Sequence, residues 1–177
     1  MKRTLFVLLV LGLLALSCAV FADGAAYGSQ YSAQAYQGVR VQVGWAKPAG
    51  VDSAFDCGAS YIWKQALLSL NYLDASGDFA PSETVKSLTA EGSYLWRAPD
   101  PSLYYGVGWG LAFTDAGRNT TSGLWNLVVG KELNSGKDFG KPGLFVEGRW
   151  NFGGSFSTDH AGGQDLAGPR LQVGWKF

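Results

Sequence analysis

The sequence has little charge, a single histidine and only two cysteines. Its 14 basic and 14 acidic residues, in a chain of 177, cancel to a formal net charge of zero. There is no basic stripe and no acidic tail, which excludes the usual electrostatic footprint of a nucleic-acid-binding protein. We therefore expect no nucleic-acid partner. No cofactor is predicted from the sequence either.

Beyond its first 22 residues the chain also lacks a long hydrophobic run. Two basic residues precede an apolar stretch at 5–20, and the small-residue pattern that ends at Ala22 predicts signal-peptidase cleavage before Asp23. The stretch is short for a membrane-spanning helix, and no second candidate follows it. We therefore predict a signal peptide at 1–22, with lipidation at Cys18 as the alternative.

The predicted mature chain keeps one cysteine and begins with a tail. Because Cys57 is the cysteine that remains, an internal disulfide is excluded, although a signal peptide directs the chain to an oxidising compartment. Residues 23–37 are mostly small and polar, with some tyrosine, and predict a periplasmic N-terminal tail without strong structure. The length of the remainder, 38–177, is that of one domain.

Proline is scarce, and its positions are informative. All six prolines lie between runs of alternating apolar and polar residues, or at the first residue of a run. This fits strands, because a strand interior needs the N–H that proline lacks. The mature chain has no useful stripe with the helical period of 3.6 residues. The runs predict eight β-strands, at about 38–46, 54–63, 66–73, 84–96, 103–114, 123–132, 143–152 and 169–177.

The two faces of the predicted strands differ in size. In the fifth run, one face carries Leu103, Tyr105, Val107, Trp109, Leu111 and Phe113, and the other carries Tyr104, Gly106, Gly108, Gly110, Ala112 and Thr114. A soluble barrel or sandwich would bury the large apolar face. A membrane barrel would turn that face toward lipid.

The seven tryptophans favour the membrane alternative, because all of them fall on the apolar face. If the chain enters from the periplasm, four lie toward the outer strand ends and three toward the inner ends, as expected of two aromatic girdles. The outer set is Trp45, Trp109, Trp125 and Trp150, and the inner set is Trp63, Trp96 and Trp175. A sheet in lipid must also close, and bacterial barrels do so with an even number of strands. We predict an all-β, eight-stranded, antiparallel up-and-down transmembrane β-barrel over 38–177.

Two similar octets begin and end the predicted barrel. "RVQVGWAK" occupies 40–47 and "RLQVGWKF" occupies 170–177. In a closed up-and-down barrel the first and last strands are neighbours, so the two octets are expected to lie together. The alternating residues Leu171, Val173 and Trp175, followed by the terminal Phe177, resemble the C-terminal signal by which outer-membrane barrels are recognised for insertion.

The segments "YYGVGWGLAF", "WNLVVGKEL" and "GLFVEGRWNF" extend this resemblance. Residues 38–177 resemble the small eight-stranded OmpA/OmpX-type outer-membrane barrels, also described as the outer membrane protein β-barrel domain. The resemblance implies the outer membrane of a diderm bacterium, both termini on the periplasmic side, membrane lipid as a partner and the barrel-assembly machinery during insertion. The outer loops are short, the longest being about sixteen residues at 153–168, which disfavours an adhesin.

An eight-stranded barrel has an interior just wide enough for side chains to fill it. Alternation predicts four bases and four acids on the inner face, and isolated buried charges are costly, so we expect them to be paired. The bases are Arg40, Arg149, Arg170 and Lys176, and the acids are Asp56, Glu91, Glu132 and Glu147. We interpret them as a neutral salt-bridge plug; a proton or ion path is the alternative.

No catalytic or metal site is predicted. The single histidine, His160, lies in an outer loop, and the lipid A deacylase pattern would require serine where Gly162 stands. We therefore expect a non-enzymatic barrel with a filled, non-conducting lumen, acting as a structural or loop-mediated interaction protein whose loop partner the sequence does not identify. The alternatives are a lipid A-modifying enzyme and, less favoured, a narrow channel.

Overall fold

The computed structural model describes residues 37–49, 51, 53–76, 84–100, 102–133, 141–157 and 164–177. The predicted signal peptide with its cleavage site, Cys18 and all but the last residue of the predicted tail lie outside these residues. The same is true of His160 and Gly162. Within the described ranges, no helix is long and apolar enough to cross a membrane.

The described chain forms eight β-strands. They are β1 (Gln37–Ala46), β2 (Ala54–Trp63), β3 (Ala66–Ser76), β4 (Thr84–Arg97), β5 (Leu103–Asp115), β6 (Asn119–Glu132), β7 (Gly143–Gly153) and β8 (Gly168–Lys176). The largest differences from the predicted boundaries are the start of β6, four residues earlier, and the end of β3, three residues later. Thr120 and Thr121 pair with Thr114 and Phe113 of β5, so β-branched threonines extend β6 where apolar alternation has already stopped.

Each strand pairs antiparallel with its neighbour in sequence, and β1 pairs with β8 to close the barrel. The predicted closed, eight-stranded, up-and-down barrel is therefore confirmed. The end that carries Gln37 and Phe177 is here called the terminal rim, and the opposite end the far rim. Between β2 and β3 the terminal rim has a two-residue turn in which Lys64 has φ 54°, a left-handed conformation.

A line through directly opposed residues does not close on itself after one circuit of the barrel. It leaves β7 at Gly143 and returns to β7 at Gly153, ten residues further along the strand. The intermediate partners are Lys176, Arg40, Ser60, Ser69, Glu91, Gly110 and Leu124. For eight strands this displacement corresponds to a tilt of about 40° to the barrel axis. Interior side chains that meet therefore come from strands far apart in sequence.

Candidate functional site

The barrel interior is the candidate functional site, because it holds most of the charged side chains that are buried. All eight inner-face charges predicted from alternation are buried there. Six of them form the centre, between two clusters of apolar side chains, and Glu132 and Lys176 belong to a separate group at the terminal rim.

Arg149 is the best-satisfied cation of the centre. Its Nε donates to Glu147 Oε1 at 2.7 Å, its Nη1 to Glu91 Oε2 at 2.7 Å and its Nη2 to Ser69 Oγ at 2.8 Å. The guanidinium thus joins β7 to β3 and β4 across the barrel. Such charge-assisted hydrogen bonds are shorter and stronger than neutral ones.

Arg40 lies between an aromatic ring and an acid. Its Nη1 donates to Glu147 Oε2 at 3.3 Å, and its Nη2 donates to the Tyr104 hydroxyl. The same hydroxyl donates to Glu147 Oε2 at 2.7 Å. The guanidinium carbon is 3.5 Å from the centroid of the Phe145 ring, a cation–π contact. Glu147 therefore has two guanidinium partners.

Arg170 connects this group to a set of amides. Its Nη1 donates to Glu91 Oε1 at 3.4 Å, and its Nε is 3.5 Å from Asp56 Oδ2. Asp56 Oδ2 also accepts from Gln172 Nε2, which in turn donates to Asn71 Oδ1 at 3.1 Å. Acids and bases alternate through the centre, so each charge lies beside one of opposite sign.

Glu91 is the acceptor on which the network converges. Besides its two arginine partners, it accepts from Thr89 Oγ1 at 2.9 Å and from Asn126 Nδ2 at 2.9 Å. A buried carboxylate is tolerated only when its oxygens are satisfied in this way. Removing one of its two arginine partners would leave Glu91 with a single cation for its buried charge.

A separate ion group lies at the terminal rim and contains a residue that alternation missed. Lys176 Nζ and Arg97 Nη1 both contact Glu132, the latter at 3.4 Å. The Arg97 side chain is 12% exposed. The predicted fourth strand stopped at residue 96, although the same alternation carried one residue further assigns Arg97 to the inner face. The described interior therefore holds five cations and four acids, so the expected four-to-four balance is wrong.

Apolar side chains lie inside the barrel toward both rims, including Tyr104 and Ala112, which alternation places on the inner face. Near the terminal rim, the cluster consists of Ile62, Leu67, Leu95, Tyr104 and Val128. Toward the far rim, it consists of Ala46, Val51, Ala54, Leu73, Ala75, Val85, Ala112, Ala116, Leu124, Phe156 and Leu166. We call them the terminal apolar layer and the far apolar layer. Four members of the far layer, Val51, Ala116, Phe156 and Leu166, come from loops rather than strands.

The outer surface carries the large apolar side chains. Six of the seven tryptophans are exposed and Trp63 is half-buried. Trp63 and Trp96 lie beside the turns of the terminal rim, and Trp175 lies near the end of β8. Of the other four, Trp45 and Trp150 lie toward the far ends of β1 and β7, where they face Leu171 and Pro169 of β8. Trp109 and Trp125 lie near the middle of β5 and β6 and face each other.

The polarity of the two faces reverses toward the far rim. On the outer face, exposed apolar residues give way to exposed charges within two positions: Tyr72 to Asp74 on β3, and Leu88 to Lys86 on β4. At the same level, the inner face changes from charged residues to buried apolar ones such as Val85. The far ends of these strands thus have the polarity expected of a barrel surrounded by water.

Glycines allow the bulky interior side chains to approach the wall. A Cβ at Gly130 would clash with the Tyr104 ring, and a Cβ at Gly174 would clash with the Phe145 ring. Gly106, Gly108 and Gly110 lie against other interior side chains, which include those of Leu95, Ser93 and Glu91, respectively.

The loops offer few chemical groups among the described residues. No group of three His, Cys, Asp or Glu residues that could hold a metal ion occurs in the described ranges. Ser155 and Ser157 are exposed on the loop after β7. In the loop between β4 and β5, the Ser102 hydroxyl and backbone N–H donate to the Asp100 carboxylate and lower its pKa. Asp100 is therefore charged at neutral pH.

Comparisons with known proteins give one structural likeness. No protein-family model and no curated protein matches the chain. The chain is similar to the crystal structure of Neisserial surface protein A (NspA), with 16% sequence identity and a TM-score of 0.46, over 80% of this chain and 94% of that chain.

Proposed function

We propose that this protein is an integral outer-membrane β-barrel with a filled, non-conducting lumen, acting as a structural or loop-mediated interaction protein. The observation that carries the membrane assignment is the polarity of the wall. Over the central part of the strands, large apolar side chains point outward and charged ones inward. Water would disfavour so extensive an exposed apolar surface, whereas lipid is a suitable solvent for it.

The height of the apolar surface matches a bilayer. On β5 the outward residues from Leu103 to Phe113 are all apolar. This distance of ten residues, at about 3.3 Å per residue and a tilt of about 40°, covers about 25 Å along the barrel axis. An outward apolar band of about that height is typical of outer-membrane barrels. Beyond it, the charged outer surface at the far rim belongs in water.

The order of the interior layers supports a non-conducting role. The charged centre lies between the terminal apolar layer and the far apolar layer. An ion that crossed the barrel would need to leave water at both layers and to compete with the ion pairs of the centre, each of which is costly to desolvate or break. We therefore favour a plug over a proton or ion path.

The proposed interaction role depends on the loops. The proposed orientation depends on the rim at which both ends of the barrel domain lie. Gln37 and Phe177 lie at the same end of the barrel, where Phe177 N donates to Val39 O at 2.8 Å. We propose that this rim faces the periplasm and that the barrel-assembly machinery recognises β8. The far-rim loops would then meet the cell exterior and any partner.

Cell fractionation followed by a heat-modifiability gel tests this proposal. The protein should be recovered in the outer-membrane fraction, and an unheated sample should migrate differently from a boiled one because a closed barrel resists detergent. Recovery in the soluble periplasmic fraction would contradict the proposal.

A further inference from the structure

The outer surface of the barrel has a groove near the terminal rim. It has a volume of about 270 Å³, and its outward-facing lining consists of apolar residues of β1, β2 and β3, namely Val39, Ala59, Tyr61, Leu68 and Leu70. The inward-facing Ser60, Ser69 and Glu91 lie behind it. Its position within the apolar band places it at bilayer depth if the chain is a membrane barrel. The inference below rests on that proposed function.

Ala59 forms the floor of the groove. It lies opposite Val41 on β1 and Leu70 on β3, and both of these larger neighbours are 45% exposed. A single small residue among large ones leaves a depression one side chain wide. The flat wall of a second barrel would leave this floor empty, whereas one flexible hydrocarbon chain would fill it and make dispersion contacts on three sides.

The groove leads to a cation. Along β2, Ala59 is followed on the same outer face by Tyr61 and then Trp63, and the strand ends at the turn that contains Lys64. Lys64 is exposed, and its Nζ is 5.2 Å from the centroid of the Trp63 ring. Lys64 therefore lies on the terminal-rim side of the groove, beyond Tyr61 and Trp63.

We propose that this groove binds one acyl chain of a phospholipid from the leaflet at the terminal rim, with the lipid phosphate at Lys64. The apolar floor takes the chain, and the ammonium group complements the negative charge of the phosphate. The amphipathic Tyr61 and Trp63 rings lie between the two, at the depth where such rings are favoured. The site is a fixed lipid position, unlike the rest of the outer wall.

Native mass spectrometry of the protein, extracted from membranes in a mild detergent, tests the proposal. The wild type should retain one phospholipid, and Ala59→Phe, which fills the groove, should lose it. Val107→Phe introduces the same ring at an exposed outward position of β5 and should retain the lipid. Lys64→Gln should retain less anionic phospholipid than the wild type. Each variant is first checked for heat modifiability, so that failure to form the barrel is recognised.

A second measurement needs no variant. A phospholipid with a photoactivatable group on its acyl chain should crosslink preferentially to the peptide that contains Ala59 and Tyr61, rather than to β5. Equal retention by the wild type and Ala59→Phe, together with uniform crosslinking, would overturn the lipid site while leaving the membrane barrel in place. A wild-type dimer without phospholipid that Ala59→Phe dissociates would instead assign the groove to a second copy. Recovery of the protein in the soluble fraction would overturn the proposed function itself.

Discussion

Val43 lies directly opposite Val173 at the centre of the seam between β1 and β8. The two residues occupy the same position in the two similar octets, so the octets pair antiparallel about this point. Gln42 then faces Gly174, and Gly44 faces Gln172. Trp45 faces Leu171, and Val41 faces Trp175. An antiparallel pair of like sequences thus places each interior glutamine beside a glycine, which explains why the same pattern suits both strands.

The seam predicts a large cost for replacing Gly174. In Gly174→Val, the new side chain would meet the Phe145 ring and the Val41 carbonyl oxygen. Overpacking of this kind costs about 1–3 kcal/mol. Urea unfolding of the purified protein in detergent micelles should show the loss. Gly148→Val, on the outer face of β7 where the nearest backbone atom is 3.9 Å from a new Cβ, is the control and should change stability by less than about 0.5 kcal/mol. Equal losses in the two variants would contradict the packing described here.

The central ion network predicts a larger effect. Arg149→Met removes the cation shared by Glu147 and Glu91. Removing one partner from a buried ion network costs roughly 3–5 kcal/mol, and here it would leave one excess buried negative charge that Arg40 and Arg170 only partly offset. The free energy of unfolding in micelles should fall accordingly. Lys131→Met disrupts the exposed pair of Lys131 with Asp100, at 3.7 Å, and should cost about 0–1 kcal/mol. If both variants lost the same small amount, the network would not stabilise the barrel.

The sequence predicts the faces of the strands far better than it predicts the contacts between them. Because successive side chains of a strand point to opposite faces, the sequence predicts that Arg149 and Glu91 point inward, and both are buried. Which pairs meet depends on the ten-residue displacement around the barrel, which brings β7 to β3 and β4. No local pattern encodes that displacement. Strand alternation does not predict the loop members of the far apolar layer either, because residues such as Phe156 and Leu166 join the interior through tertiary packing.

The layered interior predicts that the protein forms no steady channel. In planar bilayers, the wild type should show no reproducible conductance steps, because ions would have to cross both apolar layers and the paired charges between them. Protein-free detergent micelles serve as the control, because detergent alone also causes occasional irregular changes in conductance. Uniform, protein-dependent open states would overturn the plug and favour the channel.

The end of β8 predicts an assembly defect. Phe177 is 63% exposed, and its N–H donates to Val39 O at the seam. Deletion of Phe177 should lower the amount of heat-modifiable protein in the outer membrane, because it removes the aromatic end of the proposed insertion signal. Phe177→Tyr keeps an aromatic end residue and should assemble normally. Unchanged levels after the deletion would argue against a signal at this position.

The assignment of the two faces predicts a labelling pattern, and it is the prediction on which the membrane proposal depends most. Val107→Arg would be unfavourable both in lipid and in the core of a soluble protein. Introducing a charge at this position therefore does not distinguish a membrane barrel from a soluble protein. Labelling of single cysteines, introduced in a Cys57→Ala background, does distinguish these two models. The structure makes serines the best inward probes, since Ser69 and Ser93 are buried and nearly isosteric with cysteine. Outward probes are Val107 and Val173, which are exposed on β5 and β8.

In membranes, cysteines at 107 and 173 should react with a lipid-soluble maleimide, and those at 69 and 93 should not react until the barrel is unfolded. A water-soluble maleimide should label neither pair in the folded protein, because lipid covers the first and the wall encloses the second. A soluble barrel with the structure described here would expose 107 and 173 to the water-soluble reagent. Labelling of 69 and 93 in the folded state would show that the two faces are assigned the wrong way round.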